Sequence, residues 1–186
     1  MSQFTNDEKK ILLDAADAAI QYGLNYRARL PIKISAYSEK LRELGASFVT
    51  LTVNGQLRGC IGSLEAHQPL IADVADNAYN AAFSDPRFPA LQKNEYPQVT
   101  KHISVLSKPT PMHFTSEADL LRQIRPNIDG LILSDGWHRG TFLPAVWEDL
   151  PTPELFLQHL KLKAGLPEDY WSKTLTVERY AAEMIE

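Results

Sequence analysis

The only cysteine of the chain, Cys60, lies in the segment Leu57-Arg58-Gly59-Cys60-Ile61-Gly62. The thiolate form of cysteine is a nucleophile, and a neighbouring cation favours it over the thiol. The spacing of Arg58 and Cys60 therefore predicts a site at which Arg58 orients a ligand and Cys60 contacts or attacks it. The alternative is that Cys60 is a small buried side chain, as most free cysteines are.

This segment is predicted to be the second strand of a β-hairpin. Residues 47–53 are rich in strand-forming side chains, and the Asn54-Gly55 pair that follows favours a two-residue turn. Counting outward from the turn places Leu51 opposite Arg58 and Val49 opposite Cys60, with Arg58 and Cys60 on one face. Glycines weaken a strand, so Gly59 and Gly62 suggest a bulge or the close approach of another backbone. A bulge would change this register.

Other polar residues are candidates for the same site. Asp85 and Arg87 flank Pro86, so a carboxylate and a guanidinium could be held on one rigid turn, or could simply cap a helix and form a local ion pair. Glu148 is a candidate partner of Arg58 if a second hairpin packs beside the first. The predicted ligand-binding residues are Gly59, Gly62, Asp85, Arg87, Arg139, Thr141 and Glu148.

No cofactor or metal is indicated by motif. The five histidines show neither a metal-binding helical spacing nor clustering with carboxylates. His67 is the nearest of them in sequence to Cys60 and could act as its base if the chain folds back. The glycine-rich signatures of P-loop and Rossmann nucleotide sites and of α/β-hydrolases are missing from the sequence.

Capping residues and apolar periodicity predict the elements that would position these residues. Helices are expected at residues 7–22, 36–44, from Pro69 to about residue 83, from Ser116 through Ile124, and after Thr152. Strands are expected at 99–106, 131–133, 141–143 and 174–180, with a longer loop joining 131–133 to 141–143. Helices and hairpins alternate without a regular βαβ repeat, which predicts an α+β fold with a largely antiparallel sheet and packed helices.

Length and composition describe an ordinary globular protein. The chain has 186 residues, 44% of them hydrophobic, and a formal charge of -4, which predicts one domain or two intimately packed lobes. No apolar run is long enough to cross a bilayer and the first residues do not resemble a signal peptide, so we expect a cytoplasmic protein. The scattered lysines and arginines make duplex nucleic acid a poor candidate ligand.

Several segments spread along the chain resemble one known family. They are Leu57–Gly62, Asp85–Phe88, Val105–Ser107, Asp129–Leu133, Gly140–Pro144, Val146–Glu148 and Lys163–Leu166. In this order they resemble the AMMECR domain family, which includes protein A of the prokaryotic AmmeMemoRadiSam system. The resemblance implies an α+β fold of two lobes over residues 1–186, with the Leu57–Gly62 segment lining an intervening cleft.

The resemblance implies no established reaction. It implies a prokaryotic gene neighbourhood that often includes a Memo-like protein and a radical SAM protein. The alternative to a ligand-binding or enzymatic site is therefore a non-catalytic adaptor for such a partner. Many bacterial members have a cysteine at the position of Lys161, so a mechanism with paired thiols is not expected here.

Overall fold

The computed structural model of the chain describes residues 2–186 and divides them into two compact units. Unit 1 comprises residues 2–106 together with Glu183–Glu186, and unit 2 comprises Ser107–Ala182. Each unit has its own cluster of buried apolar side chains.

Unit 1 is an antiparallel sheet with helices on one face. The sheet has the strand order β2-β1-β4-β9, and the short strand β3 pairs with the start of β1. Buried residues of the helices and of alternate β1 positions, Val49 and Leu51 among them, form its core. The elements are α1 (Asn6–Tyr26), α2 (Glu39–Arg42), β1 (Leu44–Val53), β2 (Gln56–Gly62), β3 (Gln68–Pro69), α3 (Leu70–Phe83), β4 (Val99–Leu106) and β9 (Ala182–Ile185).

Helix α1 begins as predicted and ends later than predicted. Thr5 and Glu8 form the expected capping box. Gly23 lies inside the helix. The ring of Phe83 packs where a side chain on this residue would be, so the glycine permits a close contact instead of ending the helix. The helix ends instead at Arg27, which takes the left-handed conformation with a φ of 52°.

The second helix is shorter than predicted. It covers only Glu39–Arg42, and Gly45 belongs to β1 instead of ending a helix. A Cβ on Gly45 would lie 2.8 Å from Leu70, so the glycine permits close packing of strand and helix. This tertiary contact has no signal in the local sequence.

The first hairpin has the predicted turn but not the predicted register. Asn54 and Gly55 have φ values of 52° and 76°, as a type I′ turn requires. A bulge between Leu51 and Thr52 shifts the pairing, so that Gly59 lies opposite Leu51 and Cys60 opposite Thr50. The assignment of Val49 to Cys60 and of Leu51 to Arg58 was therefore wrong, because Arg58 is the extra residue of the bulge.

Unit 2 is a second antiparallel sheet with the order β5-β8-β6-β7. The predicted caps are confirmed: the Ser116 hydroxyl accepts from Asp119 at the start of α4, and that of Thr152 accepts from Leu155 at the start of α5. Trp147 stacks on Phe156 in the core, with ring centroids 4.0 Å apart. The elements are β5 (Thr110–Pro111), α4 (Glu117–Gln123), β6 (Gly130–Asp135), β7 (His138–Phe142), α5 (Pro153–Lys163) and β8 (Thr176–Tyr180).

The hairpin of unit 2 is tighter than predicted. Asp135 pairs directly with His138, so the connection is the two-residue turn Gly136-Trp137 instead of a longer loop. Gly136 has a φ of 60° at the first turn position, which is the position glycine takes in a type II′ turn. Trp137 is left at the tip, 92% exposed.

Two antiparallel sheets with packed helices confirm the predicted α+β class. Strand β4 has the predicted bounds, whereas β9 was not predicted. Across residues 2–186, no helix is both long enough and apolar enough to cross a membrane.

Candidate functional site

The backbone of Cys60 is held by two side chains from the loop after α3. β2 is at the edge of its sheet, with β1 as its partner on one side. The Cys60 amide donates to Oδ2 of Asp85 at 2.9 Å, and its carbonyl accepts from Nη2 of Arg87 at 3.4 Å. In an antiparallel ladder the backbone groups of alternate residues point away from the partner strand. Asp85 and Arg87 therefore satisfy the outward-pointing amide and carbonyl of Cys60, as a further strand would.

Asp85 and Arg87 also form the local ion pair considered above. Nε of Arg87 donates to Oδ1 at 3.0 Å and Nη2 donates to Oδ2 at 2.7 Å. The Asp85 side chain is 2% exposed, whereas that of Arg87 is 54% exposed. Hydrogen bonds from Arg87 and from the Cys60 amide hold the pKa of Asp85 well below its usual range, and the same bonds to Asp85 raise the pKa of Arg87. The carboxylate is thus ionised at neutral pH and serves to fix the guanidinium.

The Cys60 thiol lies on the sheet face opposite the helices. Its Sγ is 3.2 Å from Oγ1 of Thr50, and the thiol is only partly buried. Because the outward-pointing backbone of Cys60 makes it a non-hydrogen-bonded partner of Thr50, the two side chains are close together. On the next strand His102 is in register with Thr50, and Nδ1 of His102 is 3.3 Å from Oε1 of Glu186. Cys60, Thr50 and His102 therefore form one cross-strand row.

Arg58 has a protein partner that differs from the expected one. Its Nε and Nη2 donate to the two carboxylate oxygens of Glu95 at 2.9 and 3.1 Å, so Glu95 occupies the position expected for Glu148. These bonds lower the pKa of Glu95. The Arg58 side chain is 11% exposed, and its Nη1 is a buried nitrogen without a hydrogen-bond partner among residues 2–186. The Phe88 ring lies 5.9 Å from the guanidinium carbon.

The two glycines of the motif allow close approaches. A Cβ on Gly59 would overlap the carbonyl oxygen of Ala81 in α3, and a Cβ on Gly62 would overlap the ring of Phe48. Both the bulge and the close approach of another backbone, suggested by the glycines, are thus present. At Gly59 the close approach places β2 against α3 with no room for a side chain, and at Gly62 it places β2 against Phe48 of β1.

The other predicted site residues lie in unit 2. Arg139 is an exposed residue of β7, and Glu148 is exposed at the end of a short 3₁₀ helix, Pro144–Glu148. Oγ1 of Thr141 is 3.2 Å from the hydroxyl of Tyr180, which donates to the carbonyl of Phe142 at 2.9 Å. Thr141 therefore belongs to a hydrogen-bond network inside its own sheet. Arg139, Thr141 and Glu148 stay predictions as ligand-binding residues.

Sequence reasoning did not find Thr50 or Glu95. A hairpin register that includes the bulge at Arg58 pairs Thr50 with Cys60, so a count of residues from the turn with one extra residue at Arg58 would have found Thr50. Glu95 has no such signal, because it is 37 residues from Arg58 in an irregular segment. Only the folding of the loop onto β2 brings the acid to the arginine.

The histidine nearest to Cys60 in sequence makes a local contact. Nδ1 of His67 is 2.9 Å from the carbonyl of Glu65 and its side chain is exposed, so its local contact is with its own loop. In the part of the chain from residue 2 onward, no three His, Cys, Asp or Glu side chains are grouped in a way that could hold a metal ion.

Comparisons with known proteins agree with the resemblance seen in the motifs. The family model AMMECR1 matches residues 13–185. A protein of Methanothermobacter thermautotrophicus is 37% identical over 97% of this chain and 94% of its own length. A Thermotoga maritima protein is 38% identical over 80% of this chain and 82% of its own. The names of these relatives state no activity.

A solved structure is similar over nearly the whole chain. The crystal structure of an uncharacterized protein from Pyrococcus horikoshii matches with a TM-score of 0.85 and 30% identity, covering 98% of this chain and 93% of the other. The family model, the sequence identities and the structural match all extend over both units. The chain therefore belongs to the AMMECR1 family.

Proposed function

We propose that the surface of unit 1 around Cys60 binds a small anionic or carbonyl-containing ligand, as an enzyme or as one component of an enzyme system. One observation carries the proposal: the half-exposed guanidinium of Arg87 is fixed by the buried carboxylate of Asp85 beside a partly buried free thiol. Buried charges are costly unless paired, so this arrangement holds a cation at the surface in a defined place.

Arg87 has the geometry of an anion-binding residue. Asp85 takes the Nε and Nη2 edge of the guanidinium, and the side chain keeps about half of its surface exposed. The Nη1 edge can donate to a carboxylate, phosphate or carbonyl oxygen of a ligand. The ion pair fixes the guanidinium before binding, so less side-chain entropy is lost when a ligand binds.

Cys60 supplies the reactive group of this surface. The guanidinium of Arg87 is hydrogen-bonded to the backbone carbonyl of Cys60, so its positive charge lies at the residue that carries the thiol. An oriented carbonyl or other electrophilic carbon of a ligand would then be within reach of the sulfur. Arg58 contributes indirectly, because its bidentate bond to Glu95 ties the same loop to β2.

The test compares two alkylating agents of nearly equal size, iodoacetate and iodoacetamide. With either agent the thiolate displaces iodide and forms a carbon–sulfur bond, but only iodoacetate carries a negative charge. If Arg87 orients anions next to Cys60, the ratio of the iodoacetate rate to the iodoacetamide rate should exceed that of a free thiol such as glutathione. The Arg87→Gln variant should lower this ratio about five-fold, as expected for one half-exposed charge pair of about 1 kcal/mol.

Arg122→Gln is the matched control, because Arg122 pairs with Asp119 three residues away and is 75% exposed in unit 2. Its rate ratio should equal that of the unsubstituted protein. A ratio equal to that of glutathione, and unchanged by Arg87→Gln, would show that no anion is bound at Cys60. Slow alkylation by both agents at every pH would show that the thiol is only a packing residue.

A second candidate function is a non-catalytic adaptor, favoured by one specific observation. Trp137 is 92% exposed at the tip of the β6–β7 hairpin, and tryptophan is a residue type enriched at interaction hot spots. The partner expected from the family resemblance is a Memo-like or radical SAM protein.

Purified partner proteins test this candidate directly. Trp137→Ser should abolish their capture, whereas Met184→Ser, at an apolar residue 53% exposed in unit 1, should not. Equal capture by the two variants, or no capture by the unsubstituted protein, would exclude a Trp137 docking role.

A further inference from the structure

Unit 1 contains a groove that is separate from the Cys60 surface. Its volume is about 740 Å³, within the range of roughly 300–1,000 Å³ usual for small-molecule sites. It lies between the end of α1, the last turns of α3 and the segment Ala90–Asn94. Asp85 and Arg87, which bond the backbone of Cys60, belong to the loop that follows α3. Residues 90–94 of the same loop form one wall of the groove.

The floor and the rim of the groove differ in chemistry. Gly23, Leu24 and Leu91 contribute apolar surface, and Leu91 is anchored by its amide to the carbonyl of Ala82 at 2.8 Å. The exposed lining residues carry cations and amides: Arg27, Gln92, Lys93 and Asn94. No aspartate or glutamate is among the lining residues, so the groove presents net positive charge.

Two aromatic rings complete one side. Tyr79 and Phe83, one turn apart on α3, have ring centroids 4.9 Å apart with 51° between their planes. Both are only partly buried. Arg29 stacks on Tyr79 at 4.9 Å and is itself paired with Asp76, so it steadies the ring. Aromatic side chains of this kind are the usual platforms for planar ring systems.

We propose that this groove binds a small nucleotide-type ligand, a planar aromatic ring that carries a phosphate. The ring packs against Tyr79 and Phe83, and Arg27 and Lys93 contact the phosphate. The amides of Gln92 and Asn94 are donors and acceptors suited to the polar edge of the ring. The proposal does not depend on the reactivity of Cys60.

Isothermal titration calorimetry with adenosine 5′-monophosphate tests the proposal on the 186-residue chain. We expect saturable binding, with adenosine alone and inorganic phosphate alone each binding more weakly than the nucleotide. Arg27→Glu/Lys93→Glu should weaken nucleotide binding at least about ten-fold, since two exposed ion pairs of about 0.7 kcal/mol each amount to that factor. Tyr79→Leu should weaken the binding of adenosine and the binding of the nucleotide to a similar extent.

Lys33→Glu/Lys108→Glu is the matched control, with the same change in charge at two exposed lysines outside the groove. Its affinity for adenosine 5′-monophosphate should stay within about two-fold of that of the unsubstituted protein. Cys60→Ser should also bind normally, which separates this test from that of the Cys60 surface. The proposal is overturned if the nucleotide does not bind, if phosphate alone binds as tightly, or if the two charge-reversal variants lose affinity equally.

Discussion

At the scale of single residues, Asp85 has the central position. One carboxylate accepts hydrogen bonds from the Cys60 amide and from the backbone and side chain of Arg87. It is buried, whereas the arginine that it fixes is half-exposed. A substitution at Asp85 therefore disturbs both the edge of the sheet and the cation beside the thiol.

Asp85→Asn should destabilise unit 1 by about 2 kcal/mol, because it removes the charge from several hydrogen bonds to a buried group. Asp14→Asn is the matched control, since the Lys10–Asp14 ion pair is largely exposed and should contribute little. Urea unfolding followed by circular dichroism measures both. If Asp85→Asn lowers the free energy of unfolding no more than Asp14→Asn does, Asp85 has no structural role.

At the scale of the element, the β2 strand is shaped by its bulge and by its contact with α3. The bulge places Arg58 outside the regular alternation, and Gly59 then lies directly under the carbonyl of Ala81. The pairing of Cys60 with Thr50 follows from this arrangement. The glycine is thus required by contact with a helix and not by the conformation of its own backbone.

Gly59→Ala should destabilise the protein by about 3 kcal/mol or more, because a methyl group would overlap backbone that cannot move as a side chain does. Gly55→Ala is the matched control. No atom lies within 4 Å of a Cβ there, and the cost of its positive φ should be about 1 kcal/mol. Thermal unfolding of both variants compares them, and equal losses would show that the contact with Ala81 is not restrictive.

At the same scale, the Thr50 hydroxyl should affect the reactivity of the Cys60 thiol without being needed for the stability of the fold. Thr50→Val keeps a β-branched side chain and removes the hydroxyl that lies 3.2 Å from Sγ. We expect the iodoacetamide rate of Cys60 to change at least about two-fold, because that hydroxyl is a hydrogen-bonding partner of the sulfur. Thr52→Val, on the same face and opposite Leu57, should leave the rate unchanged. An unchanged rate in Thr50→Val would mean that the contact has no effect on reactivity.

At the scale of the whole molecule, both units contain carboxylates whose pKa is lowered by the fold. In unit 1 hydrogen bonds from Arg87 act on Asp85 and those from Arg58 act on Glu95. In unit 2 hydrogen bonds from Thr174, Tyr170 and Ser172 lower the pKa of Asp135. A depressed pKa in the folded state stabilises the protein above the pKa of the unfolded chain, near 4, and this stabilisation is lost as the pH falls through the folded value. Asp73 acts in the opposite sense, because burial raises its pKa.

Stability should therefore be nearly constant from pH 7 to about pH 5 and fall steeply below about pH 4. The difference in unfolding free energy between the unsubstituted protein and Asp85→Asn should shrink over the same acid range, because the variant has no charge to lose at this position. Urea titrations at a series of pH values measure this difference. A difference that stays constant down to pH 2 would show that the charge of Asp85 does not stabilise the fold.

Local sequence signals predicted the elements that depend on near neighbours. The capping box at Thr5, the Ser116 and Thr152 caps and the Asn54-Gly55 turn are all present, because each is formed by residues within a few positions of one another. Elements that depend on distant contacts were mispredicted. Gly23 and Gly45 look like helix ends in the sequence, but each accommodates a packed side chain from elsewhere in unit 1.

The candidate site divides in the same way. The sequence by itself determined the family, the α+β class and the hairpin turn, because motif spacing and turn chemistry are local. It also singled out Arg58, Cys60, Asp85 and Arg87 as candidate site residues. Only the tertiary structure decided that Arg58 pairs with Glu95, that Cys60 contacts Thr50, and that Asp85 and Arg87 cover the edge of β2. These contacts join residues between 10 and 37 positions apart, so they depend on packing and register that no local pattern specifies.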